Sequence, residues 1–334
     1  MTRITSYVRA TRRVTPLFAM LIAVCAIGST TNYGAQAPQG VPAQGAQPPA
    51  PAGGGRQGGP GPFAGQTPIN ALIVSGGCCH DYAAQNKILV DLINPLMPVN
   101  WTIVHGMTQI VDSTKHSLNL FENPDWAKGY DIVIHNECWA NHELSSRAVQ
   151  NLQNAHGPGR VAAMYIHCAL HSSRSMTTDP WRELIGITSR RHTRAHNFAV
   201  KWEEDPITVG LPPFVTPIDE LYVVEKQWPG VKAIATTVNA VDNGVNGPNE
   251  SYAVAWTQQY KGGGRIFGTS IGHGNPTWET NQFKELVIRG FRWALNKEPI
   301  VLPPAAAPAR GRGTGAPTAA PAAASAPAAG RGGQ

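Results

Sequence analysis

Acidic residues are missing from both ends of this 334-residue chain: the first is Asp81 and the last is Glu298. The ends therefore differ in kind from the middle, and the formal net charge of +6 misleads. Eight of the 27 Lys and Arg lie in the flanks, so the central part holds nineteen basic and twenty-one acidic residues. A near-neutral core removes the electrostatic case for nucleic acid as a partner. Long apolar runs are also lacking. The longest, within Pro16–Gly28, is too short to span a bilayer comfortably. Neither Cys-x-x-Cys nor His-x-Glu-x-x-His occurs, so no single spacing announces a zinc site. No internal repeat is present.

The flanks have their own reading. Arg3, Arg9, Arg12 and Arg13 precede the apolar run, and Ala35-Gln36-Ala37 follows it. That is the layout of an export signal over residues 1–37, which places the mature protein in the periplasm or outside the cell. Once the signal is cleaved, no stable membrane span is expected. Val14-Thr15-Pro16 after Arg12-Arg13 fits a twin-arginine signal poorly, and Val24 is large for a lipid attachment at Cys25. Residues 38–68 and 299–334 are rich in Pro, Gly and Ala with little to bury, and are expected as a disordered linker and tail. One folded domain over residues 69–298 remains.

Within that domain an apolar run four times stops at or just before a histidine. Ile69–Ser75 leads to Gly76-Gly77-Cys78-Cys79-His80-Asp81, and Asp131–Ile134 to His135-Asn136-Glu137-Cys138. Val161–Ile166 leads to His167-Cys168-Ala169-Leu170-His171, and Arg265–Ile271 to Gly272-His273-Gly274. Helical patterns fall between the early runs, over 82–95 and 142–155, and shorter strands with a Lys261-Gly262-Gly263-Gly264 turn cluster later. The fold class is α/β, a doubly wound and mostly parallel sheet with an antiparallel insertion. In such sheets ligands bind at the carboxyl edge, where these histidines would collect.

Candidate residues follow from that edge. His167 and His273 are the candidate acid–base groups, with Asp81 as the orienting carboxylate. Converging neutral imidazoles beside a carboxylate suit zinc or another divalent ion, with His80, His142 and His171 as candidate ligands. Arg191, His192, Arg194 and His196 form an unusually polar run suited to an anion or a sugar hydroxyl, and Trp139, Trp181 and Trp278 offer rings for sugar stacking. The partner implied is a small carbohydrate. Cys168 beside the strand end raises a second chemistry, a thiol amidohydrolase, but a glutamine-hydrolysing elbow needs Gly-x-Cys-x-Gly and His167 stands at the elbow position. A third reading is a sugar-binding module without catalysis. Four cysteines remain after signal removal, and a Cys138–Cys168 bridge across the sheet edge is plausible, whereas adjacent Cys78 and Cys79 would make a strained pair. Their connectivity stays open.

Several segments in order carry a family resemblance. They are Gly76-Gly77 with His80-Asp81, Ile166-His167, Trp181-Arg182-Glu183-Leu184-Ile185-Gly186, and Asp205-Pro206-Ile207-Thr208 with Gly210-Leu211-Pro212. Asp219-Glu220-Leu221-Tyr222, the run Gly264–Gly274 and Arg289-Gly290-Phe291-Arg292-Trp293-Ala294-Leu295 complete the set. The chain from Ile69 to Lys297 resembles the ThuA-like, or trehalose-utilisation, family. The resemblance implies a flavodoxin-like sheet of the class I glutamine amidotransferase type, a role with trehalose or related disaccharides and keto-sugars, and no glutaminase activity. It also implies metal-binding relatives with histidines near His142, His171 and His273.

Overall fold

The computed structural model describes residues 63–106, 119–239 and 249–298. The expected signal over 1–37, all but the end of the linker over 38–68, and the tail over 299–334 lie outside the described residues.

The chain runs β1 (Ile69–Gly77), α1 (Tyr82–Ile93), β2 (Val99–His105), β3 (Ile132–Cys138), α2 (Ser146–His156), β4 (Ala162–Ile166) and α3 (Pro180–Ile185). There follow β5 (Ile187–Thr188), β6 (Ala199–Trp202), β7 (Phe214–Val215), β8 (Lys226–Gln227), β9 (Lys232–Val238), β10 (Ser251–Gln259), β11 (Arg265–Thr269), α4 (Asn275–Glu279) and α5 (Asn281–Ala294). Nine strands form one sheet in the order β2-β1-β3-β4-β11-β10-β9-β6-β7. The first five are parallel, and β10, β9, β6 and β7 continue antiparallel. The four strands that end near the histidine motifs (β1, β3, β4 and β11) are consecutive neighbours, so their carboxyl ends share one edge.

Both faces of the central strands are covered, which is why these strands read as continuous apolar runs. Ile73, Ile134, Met164 and Phe267 point to one face and meet Leu89 and Ile93 of α1 and Phe283, Leu286 and Phe291 of α5. Leu72, Val133, Ala163 and Ile266 point to the other and meet Leu152 of α2 and Trp181 and Leu184 of α3. Full burial of each such side chain contributes about 1.5–3 kcal/mol, so the two layers fix the strands whose ends carry the chemistry.

Local signals place the elements with a few shifts from expectation. The helix read over 142–155 starts at Ser146, because Ser145 Oγ accepts the Ala148 N–H and caps it there. His142-Glu143-Leu144 is loop. Residues 125–128 form turns, and the short helical piece is a 3-10 turn at Asn119–Glu122. The strand read over 220–225 is mostly irregular. Only Tyr222 bridges, to His192, while His196 bridges to Asp219. Those two bridges pull the segment to the sheet edge.

His135 is the clearest departure from the four-histidine pattern. β3 extends three residues beyond it, so His135 sits inside the strand, fully buried against the α2–α3 layer. It stacks on Tyr165 with ring centroids 4.4 Å apart, and its Nδ1 lies 3.0 Å from Glu137 Oε1. Cys138, not His135, reaches the edge.

Candidate active site

The end of β4 sets the geometry. His167 follows Ile166 with a φ of +45°, a left-handed conformation uncommon for a side chain with a Cβ. This sharp strand-to-helix turn throws its imidazole to the sheet edge. His167 Nδ1 donates to the Ser270 carbonyl at 2.6 Å, tying the turn to the end of β11. A carbonyl only accepts, so Nδ1 carries a proton, and Nε2 is the ring atom turned to the pocket.

His80 arrives from the turn after β1 and is held in the same manner. Its Nδ1 donates to the His273 carbonyl at 2.9 Å. His273 comes from the loop after β11, where Gly272 turns the chain at a φ of +129° that favours glycine. The three rings are mutual neighbours, with centroids 4.9 Å apart for His80–His167, 5.0 Å for His80–His273 and 5.5 Å for His167–His273.

A carboxylate pair from the irregular segment completes the group. Glu220 Oε2 lies 3.5 Å from His167 Nε2 and 3.4 Å from His273 Nδ1, while its Oε1 lies 3.5 Å from His192 Nδ1. These are ion-pair distances, longer than a good hydrogen bond. Burial by itself would raise the Glu220 pKa, yet contact with His167 and His273 holds it well below the usual carboxylate range. The same contact with Glu220 raises His273 above the ordinary imidazole value, against the effect of its burial. His80 is pushed down to about 3, by burial first and then by the neighbouring His167. The pocket thus sets a neutral imidazole beside a carboxylate-supported one, a division suited to acid–base work.

Asp219 is fully buried and holds the loops in place. Its Oδ2 accepts the Gly272 N–H at 3.1 Å and the Thr277 hydroxyl at 2.8 Å. Its Oδ1 accepts the Glu220 N–H at 2.8 Å and the His273 N–H at 3.2 Å. One carboxylate thereby fixes the main chain on both sides of the Glu220–His273 contact. Asp219→Asn should turn an N–H toward these donors and lower the unfolding free energy by roughly 2–4 kcal/mol. Urea unfolding measures this; a loss within about 0.5 kcal/mol, the usual range for an unimportant surface change, would refute the clamp.

The other residues singled out from the sequence fall at varied distances from this group. His192 joins the rim through Glu220. His171 is buried behind Tyr222, stacked on that ring at 3.8 Å, with Nε2 3.0 Å from Ser189 Oγ. His142 lies in the loop before α2, beside Glu122 and Phe121 in a separate small cavity of about 150 Å³. Asp81 caps α1, accepting the Ala84 N–H at 3.1 Å, and its second oxygen accepts from Asn275 at 3.2 Å. Glu220, not Asp81, therefore stands between the imidazoles. Trp278 is 1 % exposed, packs on Phe283 and donates its indole N–H to the Gly272 carbonyl, so it supports the histidine loop from beneath. Trp139 and Trp181 are buried as well. Arg191 is exposed, and its carbonyl accepts from Val223. His196 turns its Nδ1 to the Arg194 carbonyl and lines a separate groove of about 660 Å³ with Lys201, Glu203 and Thr236.

Metal-ligating geometry is present in two overlapping groups. His80, His167 and His273 each offer a nitrogen, and the three atoms lie within 4.8 Å of one another. His167 Nε2 and His273 Nδ1 are buried without a hydrogen-bond partner, and carbonyls orient the His80 and His167 rings, as partners of metal-bound histidines do. These residues fit zinc or a similar divalent ion. His80, Cys138 and Cys168 form the second group. Among the described residues neither group includes His142 or His171.

All four cysteines of the domain lie beside His80 in two disulfides, Cys78–Cys79 and Cys138–Cys168. Bonded to Cys138, the Cys168 sulfur offers no thiolate, and a thiol-amidohydrolase reading has no nucleophile in this state.

The sequence model for ThuA, described as "Trehalose utilisation", matches residues 70–294. A ThuA-like protein from Parabacteroides merdae ATCC 43184 superposes with a TM-score of 0.54 at 16% identity, over 71% of this chain and 94% of its own. A second, from Bacteroides uniformis ATCC 8492, gives a TM-score of 0.56 at 15% identity, over 72% and 97%. Among curated proteins none matches this chain in sequence.

Proposed function

Since the chain belongs to the ThuA, or trehalose-utilisation, family, we propose that it is an exported protein acting on a small carbohydrate, a trehalose-like disaccharide or its keto-sugar. The observation that carries this reading is the convergence of His167 and His273 on Glu220, with the His80 ring against both imidazoles, at the carboxyl edge of the sheet. His273, supported by Glu220, is the base that takes a proton from a sugar carbon or hydroxyl and returns it as acid. Glu220 stabilises the resulting imidazolium. His80, its Nδ1 proton engaged with the His273 carbonyl and its ring held neutral by burial and by His167, presents an Nε2 that orients a substrate oxygen.

In a metal-assisted form, a divalent ion held by His80, His167 and His273 would polarise a sugar oxygen, and Glu220, not the metal-bound His273, would take the proton. His142 and His171 are not part of this ligand set. The two disulfides support export, because such bonds persist in oxidising compartments. Among the described residues no helix is long and apolar enough to cross a membrane.

The deciding experiment is elemental analysis of protein purified without chelator, beside His273→Ala. The expected result is about one equivalent of a divalent ion, largely lost in the variant. Absence of metal from both proteins would remove the metal-assisted form and leave metal-free acid–base chemistry. Binding of disaccharides with no turnover of any, in wild type as in the variant, would replace the enzyme with a binding module.

A further inference from the structure

We infer that the cysteine cluster beside the histidine pocket is a redox-gated second metal position, in which His80, Cys138 and Cys168 take a thiophilic divalent ion once their disulfide is reduced by way of Cys78 and Cys79. The ligand atoms of His80, Cys138 and Cys168 already lie within 4.8 Å of one another. Two thiolates and an imidazole leave a fourth position open, the arrangement of catalytic rather than closed structural zinc sites. This inference does not rest on the three-histidine reading. The two groups share His80, so the oxidation state of the sulfurs decides which ligands surround an ion there.

The four sulfurs are arranged in sequence from solvent to interior. Cys79 is exposed and Cys78 half-buried, whereas Cys138 and Cys168 are 2 % and 7 % exposed. Cys78 Sγ stands 3.9 Å from Cys138 Sγ, and the Cys78 N–H donates to the Cys138 carbonyl at 3.1 Å. Gly77 permits this approach: it has a φ of +98°, and a Cβ there would come within 2.2 Å of the Cys138 carbonyl oxygen. A reductant in solution meets the outer bond first.

The exchange balances with a dithiol as reductant. One of its thiolates attacks Cys79 Sγ and expels the Cys78 thiolate; its second thiolate then closes the reductant to a disulfide and frees Cys79. The Cys78 thiolate attacks Cys138 Sγ and expels Cys168 as thiolate. Cys79 attacks Cys78 Sγ, which re-forms the outer bond and expels Cys138 as thiolate. In total the dithiol loses two electrons and two protons, the inner disulfide gains the electrons, and metal binding leaves the protons in water.

Cobalt(II) alone is the probe, added to the full chain in its oxidised state and again after dithiothreitol treatment and anaerobic desalting. Thiolate-to-cobalt charge-transfer absorption is expected in the reduced protein only, with alkylation mapping the free thiols to Cys138 and Cys168. Cys78→Ser/Cys79→Ser should slow reduction of the inner disulfide at least about tenfold, since the buried bond then has no solvent-facing partner. A cobalt spectrum without thiolate bands in the reduced, folded protein overturns the inference while leaving the three-histidine reading intact. Loss of far-ultraviolet circular dichroism on reduction overturns it too, because the inner disulfide is then structural. An unchanged reduction rate in the double variant overturns the relay.

Discussion

Glu220→Gln lowers turnover by about 10²–10⁴-fold, the range general acid–base groups contribute, in a protein that keeps its fold. The amide preserves shape and removes the charge that faces His167, His273 and His192. The same substitution has a readout independent of substrate. The contact with Glu220 is what raises His273, and burial works against it. Without the carboxylate, His273 should titrate below the ordinary imidazole value in metal-free protein, as followed by proton NMR. An unshifted His273 resonance would show that the charge at 3.4 Å does not support this ring.

Acid unfolding is the second large effect. His135 and His156 are fully buried, and burial lowers both to about 3, with His135 adding to the effect on His156. His156 Nδ1 donates to the Val161 carbonyl at 2.9 Å, and its Nε2 has no partner. Glu137, also buried, is raised by that burial. The His135–Glu137 pair holds one proton whichever atom carries it. Between pH 6.5 and 4.5 the unfolded chain gains two histidine protons and the folded chain holds the one shared proton, so stability falls as pH falls. Below 4.5 unfolded Glu137 protonates as well, and the fall steepens until the histidines titrate in the fold near 3. At 1.36 kcal/mol per proton per pH unit, the loss from these groups is roughly 5–7 kcal/mol across that window. This is comparable to the whole stability of an ordinary domain. Urea midpoints at several pH values between 7 and 3.5 measure it. His156→Gln, whose amide can still donate to Val161, should flatten the curve; a pH-independent wild type would show that these histidines are solvated.

The candidate site was only partly legible in the sequence, and particular residues show why. His80, His167 and His273 were visible because each ends a run of strand-forming residues, and parallel strands bury such runs and expose their ends. Asp219 and Glu220 stood in a segment conspicuous for the family resemblance, yet no glycine, histidine or regular period marked them as site residues. Their place depends on two isolated bridges, from His196 and His192, that no local pattern encodes. Asp81 showed the opposite failure. An aspartate beside a histidine has the pattern of an orienting group, whereas in the fold it accepts the Ala84 N–H at the start of α1 and a bond from Asn275, and the carboxylate between the imidazoles is that of Glu220. Trp278 looked available for a sugar because sequence does not say which face of a short helix is covered.

Sequence alone was enough for the α/β class and for the gathering of histidines at one sheet edge. These follow from apolar periodicity and from turn residues, which act locally. Only the tertiary structure decided which histidines meet, that Glu220 stands between them, and that His135 turns inward against Tyr165. It also decided that Cys78 pairs with Cys79 and Cys138 with Cys168. Such choices depend on register and on contacts between residues far apart in the chain. His167, Glu220 and His273 are brought together by strands β4 and β11 and a loop some fifty residues from either, and only packing sets those distances.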